Sequence, residues 1–573
     1  MSEGTRWDEI VDVVVVGSGA GALTSALLAS DGGAEVLVVE KDQFIGGTTA
    51  VSGGDMWIPN NRHIADKDTR EDAIAYITRL SDGRASNPKL IEHYVDTAPE
   101  ALNYLEANTE YRSLPHIGLD DYYSVVPGRI PGTKEFPRTV SAAAYPAVEK
   151  LGVEGAKLIN RGPWVMPVEI AYGEILGTGE AHDVPVFYGA DERPIVSPEE
   201  AERRRREGYR AKGGGVIAPL YRALLDRGVE VRPAHPASRL ITNDEGAVIG
   251  VVAGPRGAER RIGARRGVVL ACGGFEWNPE MVKTFIGYEV KPCTPWNNTG
   301  DGHQMAMAVG AKMGNMTTFF SFGVMYDPWE LGRDGNPLPQ MNMGLGSGSI
   351  IVNQHGKRFM HGGYTYNDFS HPFGFFDQRN PGYTNKAPGW CVFGSPHLER
   401  GAMGAQLATD VDGGVKLVGP KGQPAPPWLV VADSVRELAK KMNVDPDALE
   451  ETIARYNQYA EKGEDPDWAD PKQIRALTGP DNVNITPVVG PPYGAIQQWP
   501  GTLGTNGGLR IDEDARVLGT RTPIIDGLYA AGNTSAAVLG ATYPGGGSCV
   551  GSSMVTGYWA GRHLATKAPR DVG

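Results

Sequence analysis

The sequence predicts an α/β fold in which a Rossmann-like nucleotide-binding domain is interrupted by an inserted second domain. Residues 11–42 contain, in order, an apolar β-branched run, a glycine turn, a small-residue helix and a second apolar run. This order is typical of a βαβ unit in a buried parallel sheet. The same rhythm returns after residue 495, whereas residues 318–494 are richer in aromatic and turn residues. We therefore assign both flanks to one domain and the middle to another.

The length of 573 residues exceeds what one ordinary core holds, so more than one domain is expected. We predict a first piece of the nucleotide-binding domain at 1–317, an inserted catalytic domain at 318–494 and a second piece at 495–573. An extra segment at about 145–215 lies within the first piece. The net charge of −13 is spread along the chain, and acidic residues flank the arginine run at 203–206. Both features argue against nucleic-acid binding.

The cysteines limit which metal centres and disulfides are expected, and the N-terminus indicates the cellular location. The four cysteines are far apart and form no C-x-x-C pair, which argues against disulfides, zinc and iron–sulfur clusters. The histidines show no metal-binding spacing, so no metal is expected. No export signal or 18-residue apolar run is present, which predicts a cytoplasmic protein. For the apolar part of 145–215, a peripheral membrane contact, a substrate lid and a core segment stay open alternatives.

The glycines after the first apolar run fit a dinucleotide site. Gly17, Gly19 and Ala22 match G-x-G-x-x-G/A, and Glu40 ends the second run. In such a site the first glycine makes the turn, the second lets the backbone approach a pyrophosphate, and the acid binds a ribose hydroxyl. A second loop rich in glycine, serine and threonine follows at 46–61 and suits a phosphate or an isoalloxazine ring. This second loop favours FAD over NAD.

Seven segments carry a resemblance to a known family: VVVVGSGAGALTSA, VEKDQFIGGTTAVSGG, GVVLACGGFEWN, GKRFMHGGYTYND, LGTNGGLRID, IIDGLYAAGNTSA and TYPGGGSCVG. They resemble the FAD-dependent 3-ketosteroid dehydrogenases of the fumarate-reductase-like flavoprotein superfamily, especially the Δ1 enzymes. The tyrosine-bearing segments are the most specific of the seven. The resemblance implies an FAD-binding domain in two pieces and an inserted catalytic domain, which agrees with the rhythm of the chain.

The resemblance also implies which residues bind FAD, without a covalent link. They are Gly17, Ser18, Gly19, Ala20, Gly21, Ala22, Glu40, Lys41, Gly47, Thr48, Thr49, Ser52, Gly53, Gly54, Gly273, Gly274, Gly532, Asn533, Ser548 and Val550.

The implied reaction places a C1–C2 double bond in the A ring of a 3-ketosteroid. It needs a hydride acceptor, a base for the C2 proton and hydrogen-bond donors to the C3 oxygen. FAD N5 would accept the C1 hydride. The resemblance implies that Tyr543 and the Gly547 N–H in TYPGGG bind the C3 oxygen. The helix that follows would direct its positive end at the flavin.

For the base, the resemblance implies a tyrosine after a G-x-R-F turn, which is Tyr366, with Tyr364 as the alternative. A free tyrosine has a pKa of about 10 and needs a helper near neutral pH. The family's helper is a tyrosine in a D-Y-aromatic segment. This predicts Tyr122, with Tyr123 as the alternative.

Three rival functions remain. A dicarboxylate reductase would carry a histidine before its flavin loop, where this sequence has Leu503. A Δ4-(5α)-dehydrogenase would remove hydrogen from other ring carbons, and an electron-transfer module would bind FAD without acting on a ketosteroid. The sequence lacks a second strand–glycine–helix unit for NAD(P)H, so we expect a quinone-like or other non-nicotinamide electron acceptor. Neither the steroid side chain nor the oligomeric state is predicted.

Overall fold

The computed structural model describes residues 6–64, 66–124, 130–161, 198–331, 337–341, 348–361, 365–378, 381–400, 407–409, 415–417, 429–468 and 485–573. Within these ranges the protein has the predicted α/β fold. A mostly parallel sheet and a mostly antiparallel sheet are its two main layers.

The helices are α1 Ala20–Asp31, α2 Gly47–Val51, α3 Arg70–Ser81, α4 Lys89–Asn108, α5 Ala147–Leu158, α6 Pro198–Arg206, α7 Gly213–Asp226, α8 Pro279–Met281, α9 Asp301–Ala308, α10 Ser395–Arg400, α11 Val435–Met442, α12 Pro446–Ala460 and α13 Ser548–Thr566. The strands are β1 Glu9–Val16, β2 Val36–Val39, β3 Asp55–Trp57, β4 Ser113–Pro115, β5 Thr139–Ala142, β6 Glu230–Arg232, β7 Ala237–Thr242, β8 Val248–Ala253, β9 Arg260–Leu270, β10 Lys291–Pro292, β11 Met313–Gly314, β12 Phe319–Leu331, β13 Pro337–Met341, β14 Ser349–Val352, β15 Arg358–Met360, β16 Phe376–Asp377, β17 Gly382–Tyr383, β18 Gly389–Phe393, β19 Leu407–Thr409, β20 Val415–Leu417, β21 Val430–Ala432, β22 Tyr493–Thr505, β23 Gly508–Leu509 and β24 Leu528–Ala530.

The first sheet has the order β6-β2-β1-β9-β8-β7, and β24 pairs with β9. Strands β6, β2, β1, β9 and β24 run parallel, whereas β8 and β7 complete the sheet antiparallel. The last six residues of β1 are buried, as is typical of a strand inside a parallel sheet. Since β24 comes from the C-terminal part of the chain, that part returns to the sheet that the first residues begin.

Helix α1 is buried along most of its length, and α13 packs directly against it. A Cβ on Gly557 would lie 2.2 Å from the Gly21 carbonyl oxygen, and one on Gly21 would lie 2.6 Å from that of Ser553. Only glycine permits this close approach of two helix backbones. The contact joins the first turn of α1 to the middle of α13.

The second sheet has the order β13-β12-β22-β18-β14-β15, and β10 and β21 also pair with β22. Its described strands lie within residues 291–505, and α11 and α12 pack their apolar faces against one side. Long strand β22 pairs with both β12 and β18, so it holds the sheet together. The division of the chain after residues 317 and 494 stays a prediction.

A small third sheet, β3-β5-β4, lies beside a buried charge network. The Arg138 guanidinium is fully buried and donates to both oxygens of Asp68 at 2.9 and 2.6 Å and to Asp121 at 2.7 Å. Asp121 also accepts the indole N–H of Trp57 at 2.9 Å. This network joins β3 to the segment that carries Tyr122.

Much of the predicted extra segment, residues 162–197, lies outside the described residues, so its predicted role stays open. In α6, Arg203 pairs with Glu200 and Glu207, and Arg204 pairs with Glu200. These acids neutralise the arginine run locally. Among the helices in the described ranges, none combines the length and the apolar composition that crossing a bilayer requires.

Candidate active site

A deep cleft opens where β1, β9 and β24 end, at the N-terminus of α1. Its empty space is about 890 Å³ including the part open to solvent, which is within the range of ligand sites. The lining residues are Val16, Gly17, Ser18, Gly19, Ala20, Gly21, Ala22, Glu40, Lys41, Gly47, Thr48, Thr49, Ala237, Ala271, Cys272, Gly273, Asn297, Asn298, Asp301, Met305, Ala531, Gly532, Asn533, Cys549, Val550 and Ser553.

Most of the predicted cofactor residues line this cleft. Five predicted residues do not: Ser52, Gly53, Gly54, Gly274 and Ser548. The Ser52 hydroxyl donates to the Thr49 carbonyl at 2.7 Å, and the Ser548 hydroxyl donates to that of Gly545 at 2.7 Å. A Cβ on Gly54 would lie 2.1 Å from the Lys212 backbone, and one on Gly274 would lie 2.4 Å from the Thr505 hydroxyl. Packing and local turns therefore account for at least four of them, and their role as cofactor contacts stays a prediction.

Glu40 is oriented by two hydrogen bonds at the end of β2. The Ser18 hydroxyl donates to one carboxylate oxygen at 2.6 Å, and the Asp42 N–H donates to the other at 2.8 Å. Burial raises the pKa of Glu40, whereas these two hydrogen bonds act in the opposite direction. A carboxylate fixed in this way at the cleft suits a ribose hydroxyl.

The opposite wall of the cleft comes from residues that the sequence analysis did not find: Asn297, Asn298 and Asp301. Lys41 bridges to this wall through Asp301 at 2.7 Å, and the Asn298 amide donates to the Thr48 hydroxyl at 2.8 Å. The sequence signal was the run NNTGDG at 297–302, a polar glycine turn before helix α9. It is a second turn that opens a helix at the same cleft.

The residues at the cleft fit a dinucleotide such as FAD. A Cβ on Gly17 would lie 2.2 Å from the Ala271 carbonyl oxygen, so the turn needs glycine, and one on Gly47 would meet nothing within 4 Å. Helix α1 begins directly at the cleft with Gly19 as its N-cap and without acidic residues in its first turn. The positive N-terminal end of this helix therefore suits a pyrophosphate.

Three tyrosines from distant parts of the chain meet beside the cleft. The ring centres of Tyr122 and Tyr366 are 5.3 Å apart, those of Tyr366 and Tyr543 are 5.4 Å apart, and those of Tyr122 and Tyr543 are 5.9 Å apart. Cys549 lines the cleft and packs against the same group, so the tyrosines adjoin the cofactor site. We name Tyr122, Tyr366 and Tyr543 the tyrosine cluster.

Backbone contacts hold each member of the tyrosine cluster in place. The Tyr122 N–H donates to the Pro544 carbonyl at 3.1 Å, and the Tyr76 hydroxyl donates to the same carbonyl at 2.7 Å. Tyr366 begins a 3-10 turn whose next residue, Asn367, accepts the Ser321 N–H of β12 at 3.0 Å. The cluster is therefore built from the TYPGGG loop, the Tyr122 segment and the Tyr366 turn, which is fixed to β12 of the second sheet.

The three glycines of the TYPGGG loop are required by packing. A Cβ on Gly545 would lie 2.4 Å from the Trp57 ring, one on Gly546 would lie 2.4 Å from Leu119, and one on Gly547 would lie 2.2 Å from the Asp55 backbone. Gly547 also has a φ of +82° and is the N-cap of α13. The loop thus packs closely against β3 and Leu119.

Burial dominates the electrostatics of the tyrosine cluster. It raises the pKa of Tyr122, Tyr366 and Tyr543 well above the ordinary value, because a phenolate is poorly solvated there. A hydrogen bond from the Cys549 N–H, in the first turn of α13, opposes this for Tyr543, and hydrogen bonding with Tyr543 opposes it for Tyr366. At neutral pH the three tyrosines of the cluster are therefore neutral phenols.

The wall around the tyrosine cluster is apolar. Phe320 meets the Tyr543 ring edge-on at 5.5 Å between centres, and Phe322 stacks on Tyr366 at 5.0 Å. Leu119 and Leu503 pack against the cluster as well. Leu503, which stands where a dicarboxylate reductase would have histidine, thus contributes hydrocarbon instead of a charge.

The two alternative tyrosines have different outcomes. Tyr123 packs against the cluster, but its hydroxyl donates to the Asp368 carboxylate and its ring has no close contact with the Tyr366 ring. Tyr364 lies outside the described residues. In the ranges that the structure describes, no group of histidine, cysteine and acidic side chains could hold a metal ion.

The fold, the glycine cleft and the adjoining tyrosines define the class as a flavoprotein. Residues 12–550 match the FAD binding domain family, and the chain belongs to it. The prediction of FAD is thereby confirmed.

Within that family, the chain belongs with the 3-oxosteroid 1-dehydrogenases and their relatives. It is 34% identical to the 3-oxosteroid 1-dehydrogenase of Mycobacterium tuberculosis (strain H37Rv), over 97% of this chain and 98% of that one. It is 33% identical to a 4-oxocyclohexanecarboxylate 2-dehydrogenase of Sinomonas cyclohexanicum, over 97% and 93%. The solved 3-ketosteroid delta1-dehydrogenase of Sterolibacterium denitrificans, in complex with 1,4-androstadiene-3,17-dione, has a TM-score of 0.81 at 30% identity, over 97% and 99%.

Proposed function

We propose that the protein is an FAD-dependent 3-ketosteroid dehydrogenase that places a double bond between C1 and C2 of the A ring. The observation that carries the proposal is the tyrosine cluster beside the cofactor cleft, in an apolar wall. Relatives that are named as 3-oxosteroid 1-dehydrogenases, at 34% identity over nearly the whole chain, support it. When bound, FAD supplies the hydride acceptor for such a reaction.

In this proposal, Tyr543 and the Gly547 N–H hold the C3 oxygen of the substrate. Among the described residues, no hydrogen bond uses the Gly547 N–H, so it is available as a donor. The Cys549 N–H, in the first turn of α13, opposes the rise in the pKa of Tyr543. Donors fixed in advance stabilise the negative charge that develops on a carbonyl oxygen when the neighbouring carbon loses a proton.

Tyr366 takes the C2 proton in this proposal, and Tyr122 assists it. Burial raises the pKa of Tyr366, so its phenolate is scarce near neutral pH. The phenolate fraction grows as the pH rises, and turnover should rise with it on the alkaline side. Tyr366→Phe should lower kcat by about 10²- to 10⁴-fold. FAD content and substrate binding should persist, because only the proton acceptor is removed. Full activity of the variant would contradict the assignment and would favour Tyr364 or a water molecule as the base.

The substrate is tested by anaerobic mixing of the FAD-loaded protein with a 3-keto-4-ene steroid, a 5α-saturated 3-ketosteroid and succinate. Flavin bleaching is followed, and the position of the new double bond is identified. Bleaching by a steroid with a 1-ene product supports the proposal, whereas a 4-ene product from the saturated steroid supports Δ4-(5α) desaturation. Bleaching by succinate alone would contradict the proposal. The absence of bleaching by every substrate would favour an electron-transfer module.

A second candidate substrate is 4-oxocyclohexanecarboxylate. The observation that favours it is the 33% identity to the Sinomonas enzyme named for that compound. The same chemistry, removal of hydrogen beside a ring ketone, would use the same tyrosine cluster. A fourth arm of the mixing experiment with this compound distinguishes the two, by the ratio of kcat/KM values.

We further propose that electrons leave to a quinone-like acceptor and that the protein is cytoplasmic, with a peripheral membrane contact. The absence of a second nucleotide-binding glycine motif from the sequence supports a non-nicotinamide acceptor. Reoxidation of the reduced protein by a soluble quinone but not by NAD⁺ or NADP⁺ would support the first point. Co-sedimentation with lipid vesicles tests the last.

A further inference from the structure

The Tyr122 and Tyr366 segments are joined by a second contact beside the tyrosine cluster. The Tyr123 hydroxyl contacts both carboxylate oxygens of Asp368, at 2.8 and 2.9 Å. Tyr123 directly follows Tyr122, and Asp368 lies two residues after Tyr366 in the same 3-10 turn. The length of this contact therefore limits how far the two cluster tyrosines can separate.

Among the described residues, the other partners of the Asp368 carboxylate lie on its own segment. The Thr365 hydroxyl donates to it at 3.0 Å, and the half-exposed His371 ring lies 3.9 Å away. The Asp368 N–H also donates to the Thr365 carbonyl at 3.0 Å. Tyr123 is therefore the partner that reaches this carboxylate from the opposite side of the site.

The two segments are each anchored elsewhere. The Tyr122 N–H binds Pro544 of the TYPGGG loop, and Asp121 is fixed by buried Arg138. Asn367, next to Tyr366, is fixed to β12 at Ser321. The ring contact between Tyr122 and Tyr366 constrains the relative orientation of the two anchored segments only weakly. A hydrogen bond to a carboxylate is stronger and more directional.

We propose that Tyr123 and Asp368 are positioning residues that form a clamp, which holds Tyr122 against Tyr366 so that proton removal, but not cofactor binding, depends on the Asp368 carboxylate. This inference rests on the proposed function, because it needs Tyr366 to be the base. It assigns adjacent residues Tyr122 and Tyr123 to different tasks.

The clamp predicts a pH dependence on the acid side. Burial raises the pKa of Asp368, while the charge of His371 and the hydrogen bonds from Tyr123 and Thr365 oppose the rise. His361 lines a small cavity together with Asp368 and His371, but burial lowers its pKa to about 4, so it is uncharged near neutral pH. The charge-assisted clamp is thus complete above the raised pKa of Asp368 and is lost as the pH falls through it. Turnover should fall over that range.

The experiment compares Tyr123→Phe, Asp368→Asn and the double variant with the FAD-loaded parent protein. Tyr104→Phe is the matched control, because Tyr104 donates a hydrogen bond of the same kind to Asp31 at 2.5 Å, on helices α4 and α1. We expect Tyr123→Phe to lower kcat by about 10- to 100-fold, with KM and FAD content within twofold of the parent. The double variant should be no slower than the slower single variant, since both remove one contact. Asp368→Asn should also lose the acid-side fall, and the control should leave kcat unchanged.

The outcomes separate the clamp from the proposed function. Parent protein that desaturates no ring ketone overturns the proposed function and the clamp with it. If the parent protein turns over normally and the kcat of Tyr123→Phe is within twofold of the parent value, the clamp is overturned and the proposed function is not. A loss of FAD from both single variants, or an additive double variant, shows a general structural role and overturns the clamp as well. If Tyr123→Phe does not fold, Asp368→Asn decides through its pH profile, and an unchanged acid-side fall overturns the clamp.

Discussion

Gly547 is the position where one added carbon atom should most disturb the site. Its φ of +82° lies in the left-handed region, which L side chains rarely adopt. A Cβ there would lie 2.2 and 2.3 Å from the carbonyl carbon and oxygen of Asp55, and 2.4 Å from the Met56 nitrogen. These are backbone atoms of β3, so no side-chain rotation can relieve the overlap.

The expected cost of Gly547→Ala has two parts. The left-handed conformation costs about 1–2 kcal/mol, and an overlap in a well-packed region costs about 1–3 kcal/mol. Together they predict a loss of about 2–5 kcal/mol in the free energy of unfolding. Gly228→Ala is the matched control, because Gly228 has a φ of +69° with nothing within 4 Å of its Cβ. The control should lose only the first part.

The assay is urea unfolding of both FAD-loaded variants, followed by tryptophan fluorescence, with the midpoint shift converted through the slope of the transition. Equal midpoints for Gly547→Ala and Gly228→Ala would refute the steric reasoning. Turnover is measured on the same samples, because a shifted Gly547 N–H should no longer meet the substrate oxygen. A destabilised Gly547→Ala variant with normal kcat would show that this N–H is not a catalytic donor.

Three further predictions follow from the site and its supports. Tyr543→Phe removes a donor to the substrate oxygen and should lower kcat by about 10²- to 10³-fold, whereas a loss under twofold would exclude that role. Arg138→Met leaves two buried carboxylates without their partner, and unfolding measurements should show a loss of about 3–5 kcal/mol; Arg436→Met, at an exposed ion pair, should cost far less. Glu40→Gln keeps the shape but loses the charged acceptor, so fluorescence titration of the apoprotein should show FAD binding about 10- to 100-fold weaker. Unchanged affinity would contradict a ribose contact for Glu40.

The fold could be predicted because its signals are local. The period of the apolar residues in β1, α1 and β2 and the glycines between them describe one βαβ unit within a short stretch of chain. The TYPGGG loop and the Tyr366 turn were also identified locally, through the resemblance that they carry. The structure brings both to the same place.

The second wall of the cleft could not be predicted in the same way. Asn297, Asn298 and Asp301 approach Lys41 and Thr48 from about 250 residues away, and only the packing of the chain brings them together. The sequence of this segment is that of an ordinary polar turn, because none of its residue types by itself indicates a ligand.

The sequence by itself determined the α/β class and the glycine-rich nucleotide motif, because apolar periodicity and glycine spacing follow from local backbone geometry. The candidate tyrosines came from its resemblance to a known family. Only the tertiary structure decided that the Tyr122 ring, and not that of its neighbour Tyr123, meets the rings of Tyr366 and Tyr543. Adjacent side chains in a turn diverge according to the backbone dihedral angles and the partners on the other segment, here Tyr366 for one ring and Asp368 for the next hydroxyl. The tertiary structure also shows why the TYPGGG loop requires glycines, because Trp57, Leu119 and Asp55 pack directly against them.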